Sequence, residues 1–349
     1  MARITFRGRQ AAQLENDLLR VTVLHEGGHI AEIFDKRAGV SPLWIPHWTS
    51  IEPSTFGNHL QNRYGTGPEA KLLAGIMGHN LCLDLFGGPS DEEALAGFTV
   101  HGEASVDRYD VTESSSGLLS ELTLPLAQLK ISRSLQLHGQ RIRIHEVVQN
   151  LSAMDRPLAW TQHVTLAPPF LDPATTHFRA SLTRSLVSES EFGSDSYLKP
   201  GAEFTWPVAP RSDGGEADLR MMNATAPASG FTAHLVDTQK DNAWFVAFAP
   251  QFQLAFGYIW KRSDFPWLGI WEENCSRQSP PWDGRTVTRG MEFGVSPFSE
   301  TRRQMIERNR LLDAPAYKWI TARGRLEAEY WITSAIAKSV PESLAWPDA

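Results

Sequence analysis

The chemistry this sequence offers rests on two imidazoles and a carboxylate. His101 stands in His101-Gly102-Glu103, His163 in Gln162-His163-Val164, and Glu292 in Met291-Glu292-Phe293-Gly294. An imidazole exchanges a proton near neutral pH. A carboxylate flanked by apolar residues is raised toward that range by desolvation and becomes a better base. Brought together, such groups can move protons between two oxygens of one small molecule. Each also has a structural reading: His163 as a hydrogen-bonded residue beside a loop, and Glu292 as a strand glutamate facing water ahead of a helix. His79, in Gly78-His79-Asn80, and Arg63, in Asn62-Arg63-Tyr64, are further candidates for contacting a substrate. Glu272 and Glu273 rival Glu292, but adjacent strand residues point to opposite faces, so at most one of them enters a given cleft.

The element that must position His163 is Trp160–Leu166, which reads as a strand stopped by Pro168-Pro169. Alternation puts Thr161, His163 and Thr165 on one face and Trp160, Gln162, Val164 and Leu166 on the other. Strand patterning recurs over 18–24, 30–35, 100–110, 117–124, 128–137, 141–148, 242–249, 254–260 and 328–336. The segment 128–148 is a hairpin turning at His138-Gly139-Gln140, with His145 on an exposed strand position. Residues 41–70, rich in Pro, Trp, Asn and Gly, read as a long ordered loop of the kind that shapes a site. Weaker strands between Ser/Gly/Asp/Pro-rich loops occupy 176–240. Ser299–Leu312 reads as the one convincing helix, with Ser299 as N-cap. The expectation is an all-β protein with few short helices, residues 1–349 forming a single domain.

Composition narrows the partners. Lys and Arg number 33 against 40 Asp and Glu, a net charge of −7, which argues against nucleic acid as a partner. No apolar run approaches membrane-spanning length, and the start lacks the continuous apolar core of a secretion signal, so a soluble, cytoplasmic protein is expected. Cys82 and Cys275 are far apart and read as ordinary thiols. Twelve Trp and seventeen Phe supply flat faces suited both to a β-core and to a sugar-binding cleft; Trp160, Trp267 and Trp271 are the candidates for such a platform.

In chain order, Leu19-Arg20-Val21-Thr22-Val23, Gly27-Gly28-His29-Ile30-Ala31-Glu32-Ile33, His101-Gly102, His163 and Glu292 resemble the aldose 1-epimerase (galactose mutarotase)-like proteins over nearly the whole chain. The resemblance implies a β-supersandwich that binds a monosaccharide or modified sugar and interconverts its anomers without a cofactor or metal. By the same resemblance Glu292 removes the anomeric hydroxyl proton, His163 protonates the ring oxygen, and His101 holds the substrate or polarises that oxygen. The chain departs from the family around His163, where Gln162-His163-Val164-Thr165-Leu166 replaces an Asn-His-x-x-Phe-Asn-Leu context. The family's substrate-binding arginine has Asn62-Arg63-Tyr64 as its nearest text, while His79-Asn80 lies closer to the expected distance before His101.

Other readings remain beside this one. His101, Glu103 and His163, with His79, would suit a metal ion in a metal-dependent sugar-active enzyme, since His-x-Glu on a strand puts both side chains on one face. The tryptophans would serve a carbohydrate-binding protein without turnover. Glu103 and Glu292 would suit a glycosidase if they straddled a glycosidic bond.

Overall fold

The computed structural model describes residues 4–114 and 117–347. Two large antiparallel sheets dominate it. The larger carries, side by side, the strands His79–Asp84, Arg156–Leu166, Val287–Gly294, Trp267–Asn274 and Ala228–Val236, flanked by Ile4–Phe6 through Ile30–Asp35 on one side and by Leu182–Val187 and Glu203–Thr205 on the other. The smaller sheet places Ala243-bearing Asn242–Ala249 beside Leu254–Lys261, Arg325–Ile336, Arg141–Asn150 and Leu129–His138.

The apolar face of each sheet closes on the other. Leu83, Trp160, Val164, Met291 and Phe293 of the larger sheet share one core with Phe256, Trp260, Tyr330 and Ile332 of the smaller. Phe293 stacks on Trp260 at 4.3 Å between ring centroids. Truncating so buried a phenyl costs on the order of 3–5 kcal/mol, so the strand that carries Glu292 is held from beneath. Within this core Glu146 is fully buried and accepts hydrogen bonds from Arg133 Nε at 2.6 Å, Trp160 Nε1 at 3.0 Å, Gln162 Nε2 at 2.6 Å and the Tyr330 hydroxyl at 3.1 Å. A charge buried with this many donors is compensated. Gln162 is thereby pinned inward, and its neighbour His163 is turned to the opposite face.

That opposite face is also covered. Leu72, Leu73, Ile76, Phe86, Trp282, Phe298 and Met305, from loops and short helices, pack over it with Phe231 and Trp271 of the sheet. The strand Arg156–Leu166 is consequently buried along both faces. No helix among the described residues is long and apolar enough to cross a membrane.

The hairpin Leu129–His138/Arg141–Asn150 and the pair Leu19–Leu24/Ile30–Asp35 form as their alternation predicts. Two expectations are corrected. Residues 100–109 are not a strand: His101 and Gly102 have φ of 66° and 77°, outside extended geometry, and Glu103–Ser105 is a short 3-10 turn. A Cβ at Gly102 would overlap the carbonyl oxygen of Leu83, so glycine allows this loop to cross the sheet edge. The apolar spacing of Val100, Ala104 and Val106 is that of a buried loop. The helix near 299–312 spans only Arg302–Arg308, with Thr301 and Gln304 forming its capping box, while the Ser299 hydroxyl donates to the Phe86 carbonyl. The loop 41–70 contains the short turns Pro53–Thr55 and Asn58–Leu60 and the helical turn Gln61–Tyr64.

Candidate active site

Strand register assembles the site. His163 pairs directly with Glu292 on one side and with Asn80 on the other, and Glu292 pairs with Gly269 of the next strand. Side chains of directly paired residues share a face. The face therefore carries Asn80 and Cys82, then Thr161, His163 and Thr165, then Gly290 and Glu292, then Trp271. Two glycines make room at its centre. A Cβ at Gly290 would overlap Oε1 of Glu292, and one at Gly269 would press on the Phe231 ring at 2.7 Å. The Glu292 carboxylate lies over the bare backbone of Gly290.

His163 Nε2 and Glu292 Oε1 are 3.1 Å apart. The residues are 6 % and 3 % exposed, and that burial decides their ionisation. Desolvation raises Glu292 to about 8, partly opposed by the Arg277 guanidinium. Desolvation likewise lowers His163 to about 4. At neutral pH the contact is thus one between a protonated carboxyl and a neutral imidazole rather than an ion pair. The Nδ1 side of His163 meets the Thr165 hydroxyl at 3.1 Å.

His101 reaches the same place from its loop, with its ring centroid 4.9 Å from that of His163. Its Nδ1 lies 3.1 Å from Nδ2 of Asn80. The Asn80 side-chain amide thus holds the His101 ring in place at its Nδ1 edge. Burial holds its pKa well below the usual histidine value, with His163 adding to the effect.

Above these groups lies a cavity of about 450 Å³, lined by His101, His163, Glu292, Trp271, Arg277 and Trp282 among others. Arg277 sits 4.6 Å over the Trp282 ring and 5.4 Å over Trp271, and its Nε is 3.5 Å from Oε2 of Glu273. The cavity thus combines flat aromatic walls, one cation and a carboxyl–imidazole pair, the mixture expected where a polyhydroxylated ring is oriented.

Of the residues singled out from sequence, His101, His163, Glu292 and Trp271 meet here, and the others do not. His79 is turned to the core face, where Nε2 lies 3.0 Å from Oε1 of Gln162 and Nδ1 lies 3.3 Å from the Tyr258 hydroxyl. Its neighbour Asn80 has the parity that faces the site. The Glu103 carboxylate accepts the backbone N–H groups of Leu126 and Ala127 at 3.1 and 2.8 Å; since 100–109 is a loop, it does not share a strand face with His101. Trp160 is a core residue bonded to Glu146. Trp267 shares the face of Trp271 but lies four residues along, buried and donating to the Pro315 carbonyl. Arg63 is exposed on Gln61–Tyr64, its guanidinium over Tyr64. Glu272 is on the core face, accepting from the Tyr197 hydroxyl at 2.7 Å, and Glu273 caps the N–H groups of Ser276 and Arg277. Among the described residues no group of three or more His, Cys, Asp or Glu side chains is arranged to hold a metal ion.

Arg277 and Gly290 escaped the sequence reading, and Asn80 entered it only as the neighbour of His79. The signal for Asn80 was available in the alternation of His79-Asn80-Leu81-Cys82. Arg277 follows its strand in an irregular loop, and nothing in its local text points to the cavity.

No family model matches the chain, and no curated protein matches it. Solved structures do. A "putative aldose 1-epimerase" from Klebsiella pneumoniae subsp. pneumoniae aligns with a TM-score of 0.66 at 13 % identity, over 95 % of this chain and 80 % of that one. A galactose mutarotase-like protein from Clostridium acetobutylicum gives 0.62 at 14 % identity over 95 % and 97 %, and one from Lactobacillus casei gives 0.54 at 13 % over 93 % and 100 %. At these identities the likeness is one of fold. The chain has the galactose mutarotase-like β-sandwich fold.

Proposed function

We propose that this protein binds a sugar in the cavity over His163 and Glu292 and interconverts its anomers by acid–base catalysis. The observation that carries the reading is the buried 3.1 Å contact between the two side chains, which leaves one proton to be shared between two groups at neutral pH. Anomer exchange needs one base and one acid at the same moment. The base takes the C1 hydroxyl proton as the bond from C1 to the ring oxygen breaks, and the acid delivers a proton to that oxygen. Rotation about C1–C2 in the open-chain aldehyde and reversal of both transfers give the other anomer. Protons balance over the cycle, and no other reactant is consumed.

Glu292 is the base and His163 the acid. In the empty site the shared proton rests on Glu292. Sugar hydroxyls donating to the carboxylate favour its charged form, as does Arg277, and the proton crosses to His163. His101, its ring 4.9 Å from that of His163, is placed to hold the ring oxygen. Trp271 and Trp282 offer faces to the C–H bonds of the sugar.

The test is a polarimetric or exchange-NMR survey of aldoses with the pure protein. Acceleration of anomer exchange for at least one sugar, reduced about 100-fold or more in Glu292→Gln, is the expected result. No acceleration for any sugar, with sugar binding unchanged in Glu292→Gln and lost in Trp271→Ala, would leave a carbohydrate-binding protein without turnover.

A further inference from the structure

Beside the catalytic cavity lies a second lobe of about 350 Å³, and the two share Phe192, Phe231 and Ser299 in their linings. Each is of the size that ligand cavities span, ~300–1,000 Å³. The second lobe is not needed for the chemistry, since neither His163 nor Glu292 lines it. Its lining is nevertheless organised. Phe192 and Phe231 lie 5.4 Å apart between centroids, and Phe298 lies 6.0 Å beyond Phe231, making an aromatic floor. Ser188, Ser190 and Gln304 stand around it with Glu189, Glu300 and Arg308.

The charges there decide what fits. Arg308 is the lobe's one cation among the described residues, and it is already matched twice: Nε lies 3.0 Å from both carboxylate oxygens of Glu300, and its terminal nitrogens lie 3.1 and 2.7 Å from those of Glu189. An anionic group would meet two carboxylates and no unpaired cation. A purely apolar group would offer no hydrogen bond to the Ser188 and Ser190 hydroxyls or the Gln304 amide around the floor. Phenyl faces for C–H bonds, ringed by acceptors for hydroxyls, suit a neutral sugar unit.

We infer that the preferred substrate is a neutral disaccharide or longer saccharide, its reducing-end unit over His163 and Glu292 and its next unit in the lobe floored by Phe192, Phe231 and Phe298. This rests on the anomer-exchange reading above, and that reading constrains it further. Ring opening requires a free C1 hydroxyl, so the second unit is joined through another carbon of the first. Saccharides with both anomeric carbons blocked are inert.

The experiment compares kcat/KM for anomer exchange of cellobiose, maltose and lactose with that of glucose and galactose, in the wild type and in Ser190→Trp. Ser190 is exposed, so a tryptophan there fills the lobe without entering the core. At least one disaccharide is expected to exceed its reducing-end monosaccharide by about tenfold or more, with Ser190→Trp lowering that ratio at least tenfold. A ratio at or below one for all three, or a high ratio that Ser190→Trp leaves unmoved, overturns the inference. If no sugar is turned over at all, the anomer-exchange reading falls, and titration calorimetry with the same sugars decides the lobe on its own. Tenfold tighter binding of a disaccharide, weakened by Ser190→Trp, supports it, and equal affinities refute it.

Discussion

Nε2 of His163 stands 3.1 Å from Oε1 of Glu292, and the two residues are direct register partners on adjacent antiparallel strands. The contact is therefore set by the sheet and not by a loop. Burial moves the two groups in opposite directions, His163 to about 4 and Glu292 to about 8, so between these limits the pair holds one proton. Below them both groups are protonated and the base is missing; above them both are deprotonated and the acid is missing. After subtraction of the uncatalysed rate, kcat/KM for anomer exchange is expected to trace a bell with limbs near pH 4 and pH 8, belonging to the pair and not to either residue alone. A flat profile across that range would exclude the pair as the acid–base machinery.

The same displacement makes Glu292 costly to the fold. Its folded-state pKa lies above the unfolded one, so its contribution to stability is fully present below about 4.5 and is lost progressively as pH rises toward about 8. Glu292→Gln keeps the shape and a donor for His163 but has no proton to lose. Its Tm is expected to exceed that of the wild type by a margin that grows from pH 4.5 to pH 8, measured by calorimetry or circular dichroism. A margin independent of pH would mean that Glu292 is ionised in the folded protein.

How much of this was legible depended on whether a residue's role was local. The parity of Trp160 to Leu166 placed His163 and Gln162 on opposite faces, and the structure keeps them there because Glu146 binds Gln162 from the core. The same rule applied to His79-Asn80 would have turned His79 inward. Residues 100–109 misled because alternating apolar residues also serve a buried loop, and only the positive φ at His101 and Gly102 distinguishes the two. The partner of His163 across the sheet comes from 129 residues later in the chain, a pairing that no local pattern encodes. Arg277 reaches the cavity through packing on Trp271 and Trp282, which is a tertiary fact alone.

Gly290 is expected to be as sensitive as a catalytic residue without touching a proton. Its φ is unexceptional, so alanine is allowed by the backbone, but the added Cβ would occupy the place of the Glu292 carboxylate and lie 3.2 Å from Trp271 Cβ. The far end of a glutamate gives way more easily than a packed tryptophan. Gly290→Ala should displace the carboxylate from His163 and lower kcat/KM about 100-fold, the scale of a 1 Å misplacement, while the protein remains folded by circular dichroism. Wild-type kcat/KM in this variant would show that the carboxylate's position over Gly290 is immaterial.

Arg277 separates an electrostatic role from a packing role. Its guanidinium faces Trp282 and Trp271, with 35 % of the side chain exposed and Glu273 as partner. It lowers the pKa of Glu292 by favouring the carboxylate, and it lowers that of His163 by opposing the imidazolium. Both effects have the same sign, so removing the charge in Arg277→Gln should carry both limbs of the pH profile upward together. Arg277→Lys, which keeps the charge but not the flat stacking surface, should leave the limbs near their wild-type positions while weakening sugar binding through KM. If Arg277→Gln instead reduces the rate with both limbs fixed, the arginine acts as a lid over the aromatic walls, and its field at the carboxyl–imidazole pair is too weak to matter.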